Sequence, residues 1–211
     1  MRPEEFIERF RRERASAILR TDRPDAVAPA MEAALRAGFT IAEFTMTTPD
    51  VLEHLAAFSK RAGVVIGAGT VLTVDDARAA VEAGARFLVS PVVDEAVIEE
   101  AARLGVACMP GTHTPTEMLR AHRAGAGLQK LFPAPGIGAA FVKACLGPMP
   151  FLRIVPTSGV DETNAAAYLA AGAWAIGFVA PLFDADDLAA GRFDAIEARG
   201  RRLLAATRKI G

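Results

Sequence analysis

Helical apolar patterns and short apolar runs alternate along the whole chain. Seven glycines mark the alternation, because each follows a helical pattern and precedes an apolar run: Gly38, Gly63, Gly84, Gly105, Gly125, Gly147 and Gly172. Glycine is common just past the end of a helix, where it adopts the left-handed conformation at little cost. Successive glycines lie 20 to 25 residues apart. The pattern therefore predicts a repeated unit of one helix and one short strand.

Eight apolar runs predict the strands of these units, and most are continuous, as is typical of parallel strands covered on both faces. They are Ala17–Arg20, Ile41–Met46, Val64–Gly67, Phe87–Ser90, Ala107–Pro110, Leu128–Phe132, Arg153–Pro156 and Ala175–Gly177. Four sites share a capping residue that predicts a helix start: Thr48 before Pro49, Thr73 with Asp76, Thr114 with Glu117, and Asp161. Pro29 is unfavourable inside a helix, so the first of these helices is expected to start late or to kink.

The number of units decides the fold class. Eight strands, seven intervening helices, a leading helix at Pro3–Arg14 and a closing helix near Asp194–Thr207 predict a (β/α)8 TIM barrel with an extra N-terminal helix. An open doubly wound sheet is the alternative, but the uniform unit and the count of eight favour closure. No linker or low-complexity stretch interrupts the chain, so residues 1–211 are expected to form a single barrel domain.

Charge and composition argue against several classes of partner. The chain has 24 basic and 25 acidic residues, and no segment concentrates the basic ones, which argues against nucleic-acid binding. No apolar run reaches membrane-spanning length, and Met1–Arg14 is too charged for a signal peptide. Cys108 and Cys145 lie in apolar contexts, so they predict free thiols in a reducing compartment, by default the cytoplasm.

Two ionisable residues, Lys130 and Glu43, lie inside predicted buried strands. The chain has only four lysines against twenty arginines, and Lys130 is flanked by Leu131 and Phe132. Glu43 lies in the middle of its strand and shares a strand face with Ile41. Because burying a charge is unfavourable unless it is paired or neutralised, we expect both groups to face the barrel lumen and to take part in chemistry.

An amine and a carboxylate in one lumen suit Schiff-base chemistry. A neutral lysine amine attacks the ketone of a 2-oxo acid, and the resulting iminium accepts electrons when the next C–C bond breaks. The carboxylate would move protons for carbinolamine formation and for the departing aldehyde. Two other interpretations stay open. One is a phosphate-binding isomerase or synthase that forms no covalent adduct, and the other is a non-catalytic barrel in which Lys130 and Glu43 are only a structural pair.

Further candidates lie at the C-terminal ends of the strands, where barrels of this type carry function. Arg20 ends the first strand, and its fork of donors suits a carboxylate or a phosphate. Glycine-containing loops follow strands three, seven and eight and could bring backbone N–H groups to an anion. His113 follows strand five and is a further candidate, whereas His54 and His122 fall within helices. Metal-ligand spacing is missing from the sequence, so neither a metal nor a cofactor is expected.

Six motifs occur in the order of a known enzyme family. They are Glu-Phe-Thr-x-Thr-x-Pro (43–49), Gly-Ala-Gly-Thr-Val-Leu (67–72), Phe-Leu-Val-Ser-Pro (87–91), Met-Pro-Gly-x-x-Thr-Pro-Thr-Glu (109–117), Lys-Leu-Phe-Pro-Ala (130–134) and Pro-Thr-x-Gly-Val (156–160). The sequence from Ala17 to Leu182 resembles the bacterial 2-keto-3-deoxy-6-phosphogluconate / 4-hydroxy-2-oxoglutarate aldolases. The resemblance implies a metal-independent class I aldolase, a homotrimer of (β/α)8 barrels, that cleaves a small-molecule 2-keto-3-deoxy sugar acid to pyruvate and an aldehyde.

The same resemblance implies roles for site residues. Lys130 would form the Schiff base, and Glu43 would be the general acid/base. The pocket for the pyruvate moiety maps onto four residues: Thr70, Pro91, Phe132 and Thr157. Many family members have an arginine where this chain has Thr47, which stays in the expected substrate-binding set. Another branch has threonine there and an arginine at the end of strand one, so the resemblance implies that Arg20 takes the anion-binding role.

Two loops depart from the family pattern, and both are expected to touch the substrate. The Pro-Thr-Gly-Gly loop has Ser158 before Gly159, and the Gly-Gly-Ser type sequence after strand eight begins with Gly177 and Phe178. In the family these loops hold the substrate phosphate. Here we expect a bulky Phe178 in that region and no hydroxyl within the next three residues, and each lost donor to a charged group weakens binding by about 1.5–3 kcal/mol. We therefore expect weaker phosphate recognition and a substrate that is unphosphorylated, shorter or more apolar at its far end.

Overall fold

The structure, a computed structural model, describes residues 1–208, which form eight strands and ten helices. The strands are β1 (Ala15–Leu19), β2 (Ile41–Thr45), β3 (Val65–Gly69), β4 (Phe87–Ser90), β5 (Ala107–Thr112), β6 (Gln129–Leu131), β7 (Ile154–Pro156) and β8 (Ile176–Phe178). The helices are α1 (Pro3–Glu13), α2 (Pro24–Ala37), α3 (Val51–Phe58), α4 (Val74–Glu82), α5 (Glu95–Arg103), α6 (Pro115–Arg123), α7 (Ala139–Leu146), α8 (Ala165–Ala170), α9 (Ala185–Ala189) and α10 (Phe193–Arg208).

The strands close into a barrel. From β1 to β7 each strand pairs in parallel with the next, and β8 pairs in parallel with β1. A parallel bridge between Thr157, just after β7, and Gly177 on β8 completes the ring. This order confirms the prediction of a (β/α)8 TIM barrel over the open doubly wound sheet.

Both faces of the strands are buried, but in different apolar clusters. On β2, Ile41 belongs to a cluster inside the barrel, whereas Ala42 and Phe44 belong to the larger cluster between the barrel and its helices. On β7, Val155 likewise faces the interior cluster, and Ile154 faces the helices. Because side chains alternate along a strand, these assignments fix which neighbouring residues point into the lumen.

Helix α1 closes the N-terminal end of the barrel. Phe6, Ile7 and Phe10 are buried in the interior cluster, and the Phe6 ring stacks on that of Phe87 with ring centroids 4.4 Å apart. The indole Nε1 of Trp174, ahead of β8, donates to the Ile7 carbonyl oxygen at 2.9 Å. The predicted leading helix is thus confirmed, and it fills this end of the lumen with apolar side chains.

Several predictions of helix starts are wrong. Helix α2 begins at Pro24 and contains Pro29, so of the two expectations the late start is wrong, and the kink stays a prediction. Thr48 does not cap α3, which begins after Asp50. Its hydroxyl oxygen instead lies 3.1 Å from that of Thr45. Pro29 is thus accommodated inside α2, whereas Thr48 lies in the turn before α3, so these local signals did not decide where the helices began.

Of the three remaining predicted caps, two are confirmed and one is wrong. The capping boxes at Thr73 and Thr114 are confirmed. Helix α8 is preceded by Asn164, and Asp161 instead accepts a hydrogen bond from the Thr163 backbone N–H at 2.8 Å, so the Asp161 cap is wrong. The short helix α9 was not predicted. Its N-cap residue is Asp184, whose side chain accepts hydrogen bonds from the backbone N–H groups of Asp186 and Asp187.

Two predictions about compartment can be compared with the fold. Within residues 1–208, no helix is both long enough and apolar enough to span a bilayer. Cys108 and Cys145 are buried free thiols, as predicted. Burial raises the pKa of the Cys108 thiol to about 12, which keeps it protonated and unreactive.

Candidate active site

Lys130 projects into the barrel lumen from β6. It pairs in register with Gly111 on β5 and with Val155 on β7, and Val155 belongs to the interior cluster, whereas the adjacent Leu131 faces the helices. Only 6% of Lys130 is exposed. Its Nζ lies 4.9 Å from the ring centroid of Phe132. Strand β6 thus places the Lys130 amine in the lumen, among mostly apolar side chains.

Burial has the largest effect on the pKa of the Lys130 amine. Desolvation lowers the pKa of Lys130, the Glu43 carboxylate partly restores it, and Arg20 lowers it further. The neutral amine is the form that attacks a carbonyl carbon, so the surroundings favour the nucleophilic form.

Glu43 projects into the same lumen from β2. It lies in register between Ile18 on β1 and Gly67 on β3, and it is 1% exposed. Neither carboxyl oxygen has a hydrogen-bond partner among residues 1–208. Burial raises the pKa of Glu43, and Lys130 and Arg20 only partly oppose it. A carboxyl group that is buried, unpartnered and shifted toward its neutral form is suited to exchanging a proton with a bound molecule.

Gly69 makes room for the Glu43 side chain. A Cβ built on Gly69, at the end of β3, would overlap Glu43 Oε1. Any larger residue would displace the carboxyl group from its position. Sequence reasoning grouped Gly69 with an anion-binding loop and missed this role. The register of β2 against β3, which sets Gly69 beside Thr45, was the signal that could have revealed it.

Arg20 and Thr70 meet across the mouth of the barrel. Arg20 follows β1, and its Nη2 donates to the Thr70 Oγ1 at 3.0 Å. Thr70 follows β3 and adopts a left-handed conformation with φ of 58°. Non-glycine residues rarely adopt this conformation, and it is commonly found at functional sites. The exposed guanidinium therefore spans the mouth above β2, where an anionic group could reach it.

A group of hydroxyls follows β2 next to Glu43. The Thr45 hydroxyl oxygen lies 3.0 Å from that of Thr47, and Thr45 and Thr48 are buried. Thr47 is exposed at the rim, at the position expected from the sequence. Three hydroxyls therefore lie together at the end of β2, and Arg20 brings a cation to the neighbouring part of the mouth.

The loops after β4 and β5 are packed closely. A Cβ on Gly111 would overlap the Pro91 carbonyl oxygen, so glycine is needed where these loops approach. Pro91 is partly buried beside the lumen strand β5. His113, further along, is exposed, and its Nδ1 lies 3.0 Å from the Pro133 carbonyl oxygen. His113 therefore contacts the loop after β6 and holds it, rather than pointing at Lys130 from the lumen wall.

The β7 and β8 ends form the far side of the mouth. Thr157 is fully buried and bridges to Gly177, and a Cβ on Gly177 would lie 2.7 Å from Thr157 Oγ1. Ser158 and Gly159 both have positive φ, 65° and 77°. Thr157, Ser158 and Gly159 therefore follow β7 directly at the barrel rim, and Gly177 of β8 lies beside Thr157.

Phe178 does not occupy the pocket mouth. Its side chain is fully buried in the outer cluster, where its ring packs edge-on against Phe39 with centroids 6.3 Å apart. The expectation that a bulky side chain fills the far end of the pocket is therefore wrong. Alternation along β8 gave the signal, because Ala175 faces the interior and Gly177 shares its face, which leaves Phe178 pointing outward. Only the Phe178 backbone remains near the rim.

The remaining ionisable candidates lie outside the lumen. The imidazole of His54 stacks on Phe44 on the outer face of β2, with centroids 5.7 Å apart. The imidazole of His122 packs against Phe151. His54 is half-buried and His122 is exposed, and both lie within helices, as the sequence predicted. The groups that share the lumen and its mouth are therefore an amine, a carboxyl group and one guanidinium.

Comparison with known proteins supports an assignment to a family. The KDPG and KHG aldolase family model matches residues 6–199. A probable 2-dehydro-3-deoxy-6-phosphogalactonate aldolase from Rhizobium meliloti is 39% identical over 170 residues, which cover 79% of this chain and 80% of that protein. A 2-dehydro-3-deoxy-phosphogluconate aldolase from Treponema pallidum is 33% identical over 208 residues, covering 94% and 96%.

The fold agrees with the sequence comparison. The crystal structure of a 2-keto-3-deoxy-6-phospho-gluconate aldolase from Zymomonas mobilis matches with a TM-score of 0.84 and 26% identity, covering 100% of both chains. The family match spans the barrel strands and the lumen residues Glu43 and Lys130. The chain therefore belongs to the KDPG and KHG aldolase family.

Proposed function

We propose that this carbon–carbon lyase is a class I aldolase in which Lys130 forms the Schiff base and Glu43 moves the protons. The substrate is a 2-keto-3-deoxy sugar acid, such as 2-keto-3-deoxy-6-phosphogluconate or a related 4-hydroxy-2-oxo acid, and the products are pyruvate and an aldehyde. The observation that carries the proposal is the pair of buried, mutually interacting groups in one lumen, an amine with a lowered pKa and an unpartnered carboxyl group with a raised pKa.

The first half of the reaction uses the two groups in their neutral forms. The Lys130 nitrogen forms a bond to the keto carbon while protonated Glu43 gives its proton to the keto oxygen. The resulting carbinolamine loses water to leave a cationic iminium. Glu43 is then a carboxylate beside a cation, which offsets the desolvation of both charges.

The second half breaks the C–C bond. The Glu43 carboxylate takes the proton of the hydroxyl on the fourth carbon, that hydroxyl becomes the aldehyde, and the bond between the third and fourth carbons gives its electron pair to the iminium. The product is an enamine, and protonated Glu43 gives it the proton taken from the hydroxyl, at the third carbon, which restores the iminium and the Glu43 carboxylate. Water then attacks the iminium carbon, and the C–N bond breaks to release pyruvate and the Lys130 amine.

Other rim residues position the substrate in this proposal. The Arg20 guanidinium binds the carboxylate of the pyruvate moiety, supported by its hydrogen bond to Thr70. Phe132 packs against the reacting amine. Thr157 and Pro91 wall the pocket on either side of β6, while Thr47 lies at the rim. Holding the keto carbon close to the Lys130 Nζ makes the attack effectively unimolecular instead of bimolecular.

A second candidate is an aldolase for an unphosphorylated or shorter 2-oxo acid. It is favoured by the sequence after β8, where Val179 and Ala180 follow Phe178 and provide no hydroxyl. Comparing kcat/KM for 2-keto-3-deoxygluconate with and without its 6-phosphate separates the two candidates.

Borohydride trapping tests the common mechanism. Incubation with pyruvate followed by reduction should add the mass of one reduced pyruvate per chain, mapped to the peptide containing Lys130. Lys130→Met should take up no mass. Lys143→Met is the matched control, because Lys143 is an exposed lysine on α7 after the same strand, and this variant should label like the wild type. Absence of an adduct with both pyruvate and glyoxylate would support the isomerase, synthase or non-catalytic interpretation.

The assembly is a further part of the proposal. A homotrimer is supported by exposed apolar side chains on three consecutive segments after β2, β3 and β4: Leu52, Leu72 and Val92, which are 41%, 50% and 53% exposed. Burying them between copies would remove apolar surface from water. Light scattering after size exclusion tests this, and a monomer mass would contradict it. The buried free cysteines are consistent with a cytoplasmic enzyme.

A further inference from the structure

Ser16, on β1, carries a hydroxyl group that the folded chain leaves without a partner. Its side chain faces the lumen, because Ala15 and Ala17 on either side of it belong to the outer cluster. Ser16 is 1% exposed, and its Oγ has no hydrogen-bond partner among residues 1–208. An unpartnered buried hydroxyl destabilises the fold, so its presence in the lumen calls for another reason.

The strand register places Ser16 directly beneath the level of the two reactive groups. In a closed eight-stranded barrel with the usual shear of about eight, lumen side chains from alternate strands form layers of four, and equal height advances by about one residue at each strand. The register then sets one layer from the even-numbered strands: Glu43, Val89, Lys130 and Gly177. The next layer toward α1 comes from the odd-numbered strands: Ser16, Gly67, Met109 and Val155. Ser16 therefore lies one layer below Lys130 and Glu43.

Hydroxyl groups line one side of the ring between Lys130 and Glu43. Ser16 pairs in register with Gly177, and Gly177 bridges to Thr157. Gly177 brings no side chain into this row, and a Cβ there would lie 2.7 Å from Thr157 Oγ1. Two buried hydroxyls therefore flank a glycine on the path from β6 through β7, β8 and β1 to β2.

The other side of the ring is apolar in these two layers. Strands β4 and β5 contribute the side chains of Val89 and Met109, and both belong to the interior cluster. Gly67 on β3 leaves room that the Phe87 ring fills, since a Cβ on Gly67 would overlap that ring. A molecule bound between β2 and β6 therefore meets a hydroxyl of these layers on one side only.

Glu43 and Ser16 approach this space from different directions. The carboxyl group of Glu43 lies over Gly69 on β3, because a Cβ on Gly69 would overlap Oε1. Ser16 lies on β1, which is the other neighbour of β2. A keto oxygen on the carbon that Lys130 attacks can thus receive hydrogen bonds from both groups, one from each side of β2.

We propose that Ser16 is a further catalytic residue, whose hydroxyl donates a hydrogen bond to the keto oxygen of the bound 2-oxo acid. This inference rests on the proposed function, because that oxygen is the one lost from the carbinolamine. As the Lys130 nitrogen bonds to the keto carbon, the π electrons of the C=O bond move to the oxygen, which takes the Glu43 proton and the hydrogen bond from Ser16. The carbinolamine nitrogen then gives one of its protons to this oxygen, which leaves as water when the C–O bond breaks. Ser16 keeps its own proton throughout, and a preorganised donor aimed at developing negative charge lowers the barrier.

Ser16→Ala tests the assignment through the rate of adduct formation. With excess cyanoborohydride present, the initial rate of mass gain at saturating pyruvate should fall about tenfold or more. The pyruvate concentration that gives half the maximal rate should change by less than about twofold, because Arg20 still binds the carboxylate. The thermal midpoint should stay or rise, since alanine removes an unpartnered buried hydroxyl.

Ser59→Ala is the matched control. The Ser59 hydroxyl lies after α3, outside the barrel, and donates to the Ala56 carbonyl oxygen at 3.0 Å. This variant should trap pyruvate at the wild-type rate, while its thermal midpoint falls because a hydrogen bond is lost. A wild-type trapping rate in Ser16→Ala, or a slower rate together with a lower thermal midpoint, would overturn the inference. Absence of any adduct in the wild type would instead contradict the proposed function, and the inference with it.

Discussion

Glu43 and Glu100 are two buried carboxyl groups with opposite surroundings. Glu43 is 1% exposed in the lumen and has no hydrogen-bond partner among residues 1–208, and burial raises its pKa. Glu100 is 7% exposed on α5, where Arg103 and Arg78 donate to it, and these hydrogen bonds lower its pKa to about 2. The two carboxyl groups are therefore similarly exposed but differ in protonation. Glu43 is shifted toward its neutral form, whereas Glu100 is held as an anion. The partners decide the difference, and only the unpartnered group is free to exchange a proton with a substrate.

The largest effect in this comparison is expected from Glu43→Gln. The amide has nearly the shape of the carboxyl group but cannot exchange the proton, so kcat should fall by about 10²- to 10⁴-fold. Because Glu43 has no hydrogen bond to lose, the thermal midpoint should not fall. Steady-state kinetics and a thermal melt measure both quantities. A kcat close to that of the wild type would show that another group carries the proton.

A smaller effect is expected when the Glu43 carboxyl group is displaced rather than neutralised. Gly69→Ala places a methyl group where Oε1 lies, so kcat should fall on the order of 10- to 100-fold. The free energy of unfolding should fall by about 1–3 kcal/mol through overpacking. Gly136→Ala is the control, because a Cβ there meets no atom within 4 Å. Equal kinetics in the two variants would contradict the positioning role of Gly69.

The pH dependence of stability should have opposite signs for the two groups. Since the pKa of Glu43 is raised, its contribution is fully present below the ordinary value of 4.5 and is lost as pH rises through its folded pKa. The contribution of Glu100 is present above 4.5 and is lost as pH falls from 4.5 to about 2. Urea unfolding of each glutamine variant against the wild type, from about pH 3 to 8, measures both differences. Parallel differences would contradict the assignment of the two environments.

The smallest effect is expected from Glu100→Gln at neutral pH. It removes an anion that pairs with exposed arginines on the outer surface, far from the lumen chemistry. The thermal midpoint should fall on the order of a few degrees, since partly exposed ion pairs contribute modestly. The kcat should not change. A fall in kcat in a variant that keeps its fold would mean that α4 and α5 influence the lumen.

The lumen positions of Lys130 and Glu43 could be predicted from the sequence because local rules were sufficient for them. A scarce residue in an apolar run and the alternation of a strand place both groups inside the barrel. The helix starts failed where tertiary contacts override a local signal, as at Thr48, which bonds to Thr45 instead of capping α3.

Other parts of the site were less predictable for a different reason. The direction of Phe178 follows from the alternation of side chains along β8. The role of Gly69 depends on the register between two strands, and the cap by Asp184 depends on a five-residue helix that has no strong sequence signal. Pairwise geometry of this kind is not contained in the pattern of a single segment.

Helix α1 closes one end of the barrel lumen. Phe6, Ile7 and Phe10 pack into this end, and the opposite end of the lumen is the rim that carries Arg20 and Thr70. The low permittivity that shifts Lys130 and Glu43 toward their uncharged forms is thus maintained by a segment at the opposite end of the molecule. A keto acid seated at that rim would separate Lys130 and Glu43 from bulk solvent for as long as it stays.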